Sequence, residues 1–365
     1  MNKKSTYRFL FACGGTGGHI FPAVAIAEEL KKFEPQSRIL FVGTKHRMES
    51  KVIPNLGYEY KAISIKGMPR KIGFEVISFT WSLILSLLQS ISIIAKFKPH
   101  VSLGTGSYIS VAPLFISKVF NRPVILSESN SFPGIATKVL APIANQVHLG
   151  YESSLKYFKS SNRIFVTGNP IRNILQSRDR DKAAEYFNLN PNIKTILIVG
   201  GSLGARSINQ KLSEIIERLS SKYQIIWQTG VNYLNEFKSL VSSQIRILPF
   251  IDRMDYAYAM SDLFISRAGA STIAEITNQG LVSILIPSPN VTENHQYHNA
   301  MTLVEKYAAE ILLDNESSEA LLNKIESILT DNEKLREMSF NAKQLSKPNA
   351  AKIIAEESIK ISKVK

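Results

Sequence analysis

The chain has 365 residues, 44% hydrophobic and 20% charged, which is apolar enough for two domains with a core each and excludes a disordered chain. Its single cysteine, Cys13, excludes a disulfide scaffold and a cysteine-rich metal centre and fits a reducing compartment. The net charge of +14 points to nucleic acid or an anionic membrane, but residues 1–168 hold 21 basic residues, 8 Glu and no Asp, whereas residues 169–365 hold 23 basic and 22 acidic ones, so the excess is +13 and +1.

The polar start, Met1–Arg8, does not read as a secretory signal. Tyr7–Ala12 reads as a buried strand running into Gly14-Gly15-Thr16-Gly17-Gly18-His19 and a helix from about Phe21 to Phe33, with Pro22 suited to a first turn. Arg38–Val42 is the next strand. Val76–Ala95 is a run of 20 residues without a charge. Its length would span a bilayer, but Ser78, Ser82, Ser86 and Gln89/Ser90 recur at helical spacing as a weak polar stripe. Three readings stay open: a spanning helix, which would split one α/β sheet across a membrane; a buried helix of the first domain; and a helix that dips into a membrane surface. Lys61, Lys66, Arg70 and Lys71 just before it favour anionic lipid.

Val101–Leu103, Pro123–Leu126 and Ile164–Val166 read as further strands, and Gly168-Asn169-Pro170 marks a domain boundary. The opening pattern returns 186 residues after the first glycine loop: Thr195–Val199, Gly200-Gly201-Ser202-Leu203-Gly204, then a helix from about Ser207 to Leu219. Gln224–Gln228, Leu263–Ser266 and Val282–Ile286 complete the strands, and a basic helix over about Asn349–Lys365 is expected to pack back onto the first domain. The fold class is therefore α/β, with two doubly wound, largely parallel sheets in domains 1–168 and 169–348.

A glycine loop between strand and helix lets a ligand approach the backbone, and the helix behind it offers free N–H groups and a positive dipole end. Both loops thus suit a phosphate or an anionic leaving group, or are tight turns only. A nicotinamide or flavin fingerprint fails, because Ile20 stands at the third-glycine position and no carboxylate follows the second strand at Val42-Gly43-Thr44-Lys45. No Walker loop occurs. His19, at the start of the first helix on a turn facing an interdomain cleft, suits a general base or is a cap. Arg172, beside the hinge, can clamp a diphosphate or be a linker charge. Ser266-Arg267-Ala268-Gly269-Ala270-Ser271-Thr272 opens a helix carrying Glu275, which can accept from a ribose diol or complement the dipole. Glu293–Ala300 is dense in groups able to read sugar hydroxyls; His295 and His298 lack the companions a metal site needs. Asp179-Arg180-Asp181, the only D-x-D, sits in a charged run and reads as a solvated surface pair.

Taken together, GGTGGH (14–19), GTGSY (104–108), ESN (128–130), GNPIR (168–172), GGSLGAR (200–206), SRAGASTIAE (266–275) and His295-Gln296 with Asn299-Ala300 resemble the MurG family of bacterial peptidoglycan glycosyltransferases, in order and over nearly the whole chain. The resemblance implies a GT-B fold with the active site in the cleft between two Rossmann-like domains. It also implies transfer of N-acetylglucosamine from UDP-GlcNAc to undecaprenyl-diphosphate-linked muramyl-pentapeptide (lipid I), giving lipid II, by an enzyme peripheral to the cytoplasmic face of the inner membrane. Implied partners are UDP-GlcNAc, lipid I, an anionic membrane surface and other cell-wall and division proteins, with no nucleic acid, cofactor or metal. His19 would be the base. On the donor side, Arg172 and Ser202 would contact the diphosphate and the Ile251 backbone the uracil. Glu275 would take the ribose, and Ala270, Ser271 and Thr272, with Ile273 and Ala274, would line the phosphate and sugar. Gln296 with His295 would read the sugar hydroxyls, and Asn130, Thr16, Gly17 and Gly18 would close on the sugar. Tyr108 and Glu128 would lie on the acceptor side, where the chain departs from the family: Ser127 stands for a frequent His, Ser129 for Gln and Ser107 for Gly.

The competing readings are a UDP-sugar:diacylglycerol glycosyltransferase, separated by the acceptor it uses; a UDP-GlcNAc 2-epimerase, which needs a carboxylate-rich cleft and no membrane face; and a basic nucleic-acid-binding protein. The last explains the total charge but neither the two glycine loops nor the nearly neutral second half.

Overall fold

The computed structural model describes residues 6–67, 74–159, 163–172, 179–201, 203–291 and 294–363. Ser202, Arg70 and Lys71 lie outside them. The chain forms two compact units, Met1–Arg172 with Pro348–Lys365, and Asn173–Lys347.

The first unit runs β1 (Arg8–Ala12), α1 (Gly17–Phe33), β2 (Arg38–Gly43), α2 (Glu49–Asn55), β3 (Glu59–Ala62), α3 (Phe74–Phe97), β4 (Val101–Gly104), α4 (Val111–Val119), β5 (Val124–Glu128), α5 (Ile135–Leu140), β6 (Gln146–Leu149) and β7 (Ile164–Val166). Its seven strands pair in the order β3-β2-β1-β4-β5-β6-β7, every described pair parallel. Parallel strands covered on both faces are apolar at successive positions rather than alternate ones. β1 shows this: Phe9, Leu10, Phe11 and Ala12 are all fully buried. Phe9 and Phe11 point to one layer with Ile20, Val24 and Ile26 of α1, whereas Leu10 and Ala12 point to the other with Ile94 of α3 and Leu114 of α4. Each such side chain contributes about 1.5–3 kcal/mol of burial.

The second unit runs α6 (Arg180–Phe187), β8 (Thr195–Val199), α7 (Arg206–Ser220), β9 (Gln224–Gln228), α8 (Leu234–Phe237), β10 (Ile245–Leu248), α9 (Met254–Met260), β11 (Ser261–Ser266), α10 (Ala270–Gln279), β12 (Ser283–Leu285), α11 (His295–Val304), β13 (Glu310–Ile311), α12 (Ser318–Leu329) and α13 (Asn332–Gln344). Its parallel sheet has the order β10-β9-β8-β11-β12-β13. α14 (Ala350–Ser362) belongs to the first unit, where Ala351, Ile354 and Ala355 are buried with α1 and Glu357 accepts from Gln146 Nε2 at 2.7 Å.

Two features differ from the sequence-based expectations. The unit boundary falls after Arg172 rather than at 168/169, because the preceding segment is tied to the first unit: Asn169 Nδ2 donates to the Ser129 carbonyl (2.8 Å) and Arg172 pairs with Glu28 (2.9 Å). α1 begins at Gly17, so Gly17 and Gly18 belong to its first turn rather than to the loop. Asp179 and Asp181 lie at the surface, as the charged run implies; Asp179 also caps α6 by accepting from the Lys182 N–H at 3.0 Å, and Arg180 is tied to Asp262 at 2.8 Å.

α3 sends Ile94 and Phe97 into the core but carries a second apolar stripe on its outer face. Its polar stripe faces the unit: Ser86 and Ser90 are buried, Gln89 Oε1 accepts from the Ser64 N–H at 2.7 Å, and Ser78 Oγ accepts from Lys66 Nζ at 2.6 Å. The outer apolar stripe has Ile77, Trp81, Ile84, Leu85, Leu88 and Ile91 exposed, Trp81 to 70%. The reading as a buried helix of the first domain therefore fails. By length and composition alone, residues 75–97 still suffice to cross a bilayer.

Candidate functional site

In an open parallel sheet, ligands bind beyond the carboxyl ends of the strands, where the strand order reverses. In the first unit that point lies between β1 and β4, and in the second between β8 and β11. The loops after these strands are GGTGG, GTGSY, GGSLG and RAGAS.

After β1, Thr16 adopts an extended conformation as the N-cap of α1, and its carbonyl accepts from the N–H groups of His19 (3.1 Å) and Ile20 (3.2 Å). The His19 ring is held by the loop after β4. Its Nδ1 lies 2.8 Å from the Thr105 carbonyl, and Thr105 Oγ1 donates to the His19 carbonyl at 2.6 Å. A carbonyl only accepts, so Nδ1 carries the proton and Nε2 is the basic nitrogen of the neutral ring. Gly106 (φ +91°) makes this possible, since a Cβ there would lie 2.8 Å from the ring. Ser107 follows with φ 71°, ψ 147°, a conformation that glycine alone adopts without strain. Tyr108 begins a short 3-10 turn, with the Arg47 guanidinium 6.0 Å from its ring centre.

The carboxylate of Glu128, at the end of β5, is 2% exposed and is consumed by its own loop. Oε1 accepts from the Asn130 N–H (3.0 Å) and Nδ2 (3.2 Å), and Oε2 from the Gly134 N–H (3.1 Å) and Thr137 Oγ1. Glu128 is thus an organiser of the segment that carries Asn130, not an acceptor-facing group. The Arg172 guanidinium is engaged with Glu28 through Nε (3.0 Å) and Nη2 (2.9 Å).

In the second unit, Gln228, 2% exposed at the end of β9, joins two loops. Its Nε2 donates to the Gly201 carbonyl (2.8 Å), and its Oε1 accepts from the Ile251 N–H (2.8 Å). Of the Ile251 backbone expected to read a base edge, the N–H therefore already has a partner. Gly269 caps α10, whose first turn holds Ala270, Ser271 and Thr272 and presents backbone N–H groups with the positive dipole end. Ser271 Oγ is buried there without a hydrogen-bond partner. Ile273 is a core residue at 2% exposure, and its N–H donates to the Gly269 carbonyl (2.9 Å); it offers a ligand nothing from its side chain.

In the second turn of α10, half-buried Glu275 accepts from Tyr258 Oη at 2.5 Å. Burial pushes the Glu275 carboxyl above its usual range, and the Tyr258 hydroxyl partly opposes this. Ala274, beside Glu275, is half-buried. His295 and Gln296 open α11, and Gln296 Oε1 accepts from the Ser288 N–H at 2.9 Å. Arg267 is structural: Nη1 donates to the Ile286 and Pro287 carbonyls and pairs with Asp314 at 2.6 Å. Among the described residues no group of three His, Cys, Asp or Glu is placed to hold a metal ion.

Each unit therefore gathers its expected residues at one sheet end: Thr16–His19 with Tyr108 and Asn130 in the first, Ile251, Ala270–Glu275 and Gln296 in the second. Four residues that shape these sites were missed. Thr105 and Tyr258 hold His19 and Glu275, Gln228 bridges two loops, and Glu49 lies behind the first glycine loop. Only Thr105, inside the GTGSY motif, carried a signal in the sequence.

Comparison with known proteins agrees in both halves. Residues 9–149 match the glycosyltransferase family 28 N-terminal domain and residues 195–357 the glycosyltransferase family 28 C-terminal domain. The chain is 44% identical over 359 residues, 97% of its length and 98% of the relative's, to a UDP-N-acetylglucosamine–N-acetylmuramyl-(pentapeptide) pyrophosphoryl-undecaprenol N-acetylglucosamine transferase of Flavobacterium psychrophilum. It is 40% identical to the protein of the same name from Christiangramia forsetii, over 97% of both chains. The crystal structure of Acinetobacter baumannii MurG superposes with a TM-score of 0.76 at 26% identity, covering 97% of this chain and 99% of that one.

Proposed function

Because the chain belongs to the family of UDP-N-acetylglucosamine–N-acetylmuramyl-(pentapeptide) pyrophosphoryl-undecaprenol N-acetylglucosamine transferases, we propose that it moves N-acetylglucosamine from UDP-GlcNAc to the muramyl 4-hydroxyl of lipid I, forming lipid II. The first unit takes the acceptor and the second the nucleotide sugar.

The observation that carries the mechanism is the His19–Thr105 pair. With Nδ1–H fixed on the Thr105 carbonyl, Nε2 takes the proton of the muramyl hydroxyl as that oxygen bonds to the anomeric carbon from the face opposite UDP. The C1–O bond to the diphosphate breaks, the sugar becomes oxocarbenium-like in the transition state, and the configuration inverts. The departing UDP gains charge where the first turn of α10 and Arg172 stabilise it. Arg172 must exchange the Glu28 carboxylate for the diphosphate, and the Ile251 N–H reaches a uracil only when Gln228 lets go. Glu275 accepts from the ribose diol, and Gln296, with His295, reads the sugar hydroxyls. Transfer of radiolabelled N-acetylglucosamine from UDP-GlcNAc to lipid I, with EDTA present, tests the reaction; transfer to diacylglycerol instead would replace it with the lipid-glycosylating alternative.

The enzyme works at the cytoplasmic face of the inner membrane, held peripherally through the first unit. The outward apolar stripe of α3 supports this, as do its neighbours: α3 packs on α4 and α4 on α5, and these expose Phe115, Val119, Ile135 and Val139. Exposed Lys61 and Lys66 precede α3, and residues 1–168 carry the +13 that an anionic leaflet attracts.

A further inference from the structure

We infer that Glu49 is a positioning residue for the transfer reaction: its carboxylate is the resident anion of the first glycine loop and fixes the path of the chain to His19. The inference rests on the proposed function only in taking His19 as the base.

Glu49 is the first residue of α2 and is fully buried. Among the described residues it forms no ion pair. It is surrounded by donors instead. Oε2 accepts from the Gly15 N–H at 3.0 Å, and Oε1 from the Thr44 N–H (3.0 Å) and Thr44 Oγ1 (2.6 Å). The Thr44 carbonyl in turn accepts from Tyr60 Oη at 2.5 Å. Three donors converging on two oxygens is the arrangement by which a glycine loop cradles a phosphate. Here a side chain of the same protein occupies it.

The loop is built around that side chain. A Cβ on Gly14 would lie 2.5 Å from the Glu49 carboxyl carbon, and one on Gly43 would lie 2.6 Å from its Cγ. The Gly15 N–H is thus not offered to a ligand phosphate, and the loop is held before substrate arrives. From Gly15 the chain passes to Thr16, whose carbonyl accepts from the His19 N–H. Glu49 fixes the ring's backbone from one side and Thr105 fixes the ring from the other. Removing either loosens the same nucleophile-activating geometry, and a displacement of about 1 Å in such a constellation costs about 100-fold in rate.

The test uses the full-length chain as E49Q and E49A. E49Q keeps the volume but turns an amide donor against backbone donors. E49A empties a space the size of a carboxylate, which formate can enter. His19 is followed by its imidazole 1H–15N signals, and turnover by kcat and the UDP-GlcNAc KM. E49Q is expected to lower kcat by about 10- to 100-fold, to leave the donor KM within about twofold, and to broaden or shift the His19 Nδ1–H signal. Formate is expected to restore part of both kcat and the His19 signal in E49A, and to do nothing for wild type or H19A.

An unchanged His19 signal in both variants overturns the proposal, whatever happens to kcat. So does loss of kcat in E49A that formate does not relieve. Loss of the fold in both variants without recovery in formate makes Glu49 a structural residue and also overturns it. If wild type transfers no sugar to lipid I, the reaction assigned to the protein is at fault, while the His19 spectrum still decides the role of Glu49.

Discussion

The Nδ1 of His19 and the carbonyl of Thr105 stand 2.8 Å apart, 86 positions apart in the chain, and the Thr105 hydroxyl answers by donating to the His19 carbonyl. Two adjacent strands of the first sheet, β1 and β4, deliver these residues side by side. H19A should lower kcat by about 100- to 10,000-fold with a nearly unchanged UDP-GlcNAc KM. T105V removes one hydrogen bond and should lower kcat less, at a stability cost of about 1 kcal/mol. Full turnover in H19A would remove it from the role of base.

The Tyr258–Glu275 pair predicts a pH-dependent donor KM. Burial raises the Glu275 carboxyl, and the Tyr258 hydroxyl stabilises the charged form. As the pH falls, protonation removes the acceptor that the ribose diol needs, so KM for UDP-GlcNAc should rise on the acid side. Y258F loses the stabilising hydroxyl and should move that rise to higher pH. Initial rates between pH 5 and 8 are the measurement, and a KM profile identical to wild type would detach Tyr258 from the donor site.

His148 predicts an acid-labile first unit. Its ring is buried against Phe165, and burial lowers its pKa from 6.5 to about 4, with Glu357 opposing weakly. The unfolded chain takes up this proton below about pH 6.5, whereas the folded chain resists it until about pH 4. Stability should therefore fall across that window as the pH drops, by about 3 kcal/mol in all from this residue. Urea midpoints at pH 7 and pH 5 should diverge in wild type and draw together in H148F.

Ser107 occupies a backbone conformation (φ 71°, ψ 147°) that a Cβ disfavours. S107G should stabilise the protein by about 1 kcal/mol in thermal or denaturant unfolding. The contact it gives up is the long 3.4 Å bond from the Ile109 N–H. A destabilised S107G would mean that the hydroxyl matters more than the strain.

Charges placed on the outward stripe of α3 should act on the membrane and spare the donor site. W81E and L88E are expected to weaken co-sedimentation with anionic vesicles and leave UDP-GlcNAc affinity alone. Unchanged vesicle binding in both would move the membrane face elsewhere. S86L, which presses a bulky group into the buried polar stripe, should instead lower the melting temperature.

The strands that bear the site were legible because parallel strands buried on both faces are continuous apolar runs, as in FLFA of β1 and TILIV of β8. The four strands not expected are short or interrupted by polar residues: EYKA, QVHL, IRIL and the two-residue β13. The glycine loops announced where ligands approach, since turn chemistry is local. What those loops are bonded to is not local. Gln228 claims the Ile251 N–H across 23 positions and Glu49 claims that of Gly15 across 34, and no spacing rule joins such pairs. Glu128, set on the acceptor side by the resemblance alone, shows the same limit: only the fold reveals the four donors of its own loop that consume its carboxylate. On α3 the serine spacing was visible, but which stripe faces the sheet depended on partners at Ser64 and Lys66.

The outward placement of Trp81 has a spectroscopic consequence. The chain holds two tryptophans, and they sit at opposite extremes: Trp81 is 70% exposed on α3, and Trp227 is fully enclosed in the second unit, 4.9 Å from the ring of Phe237. A blue shift of emission on adding lipid can only come from Trp81, and a red shift on adding denaturant reports Trp227 leaving its core. With each indole replaced in turn by Phe, membrane docking and unfolding of the second unit become two separately readable optical signals in the same unlabelled protein.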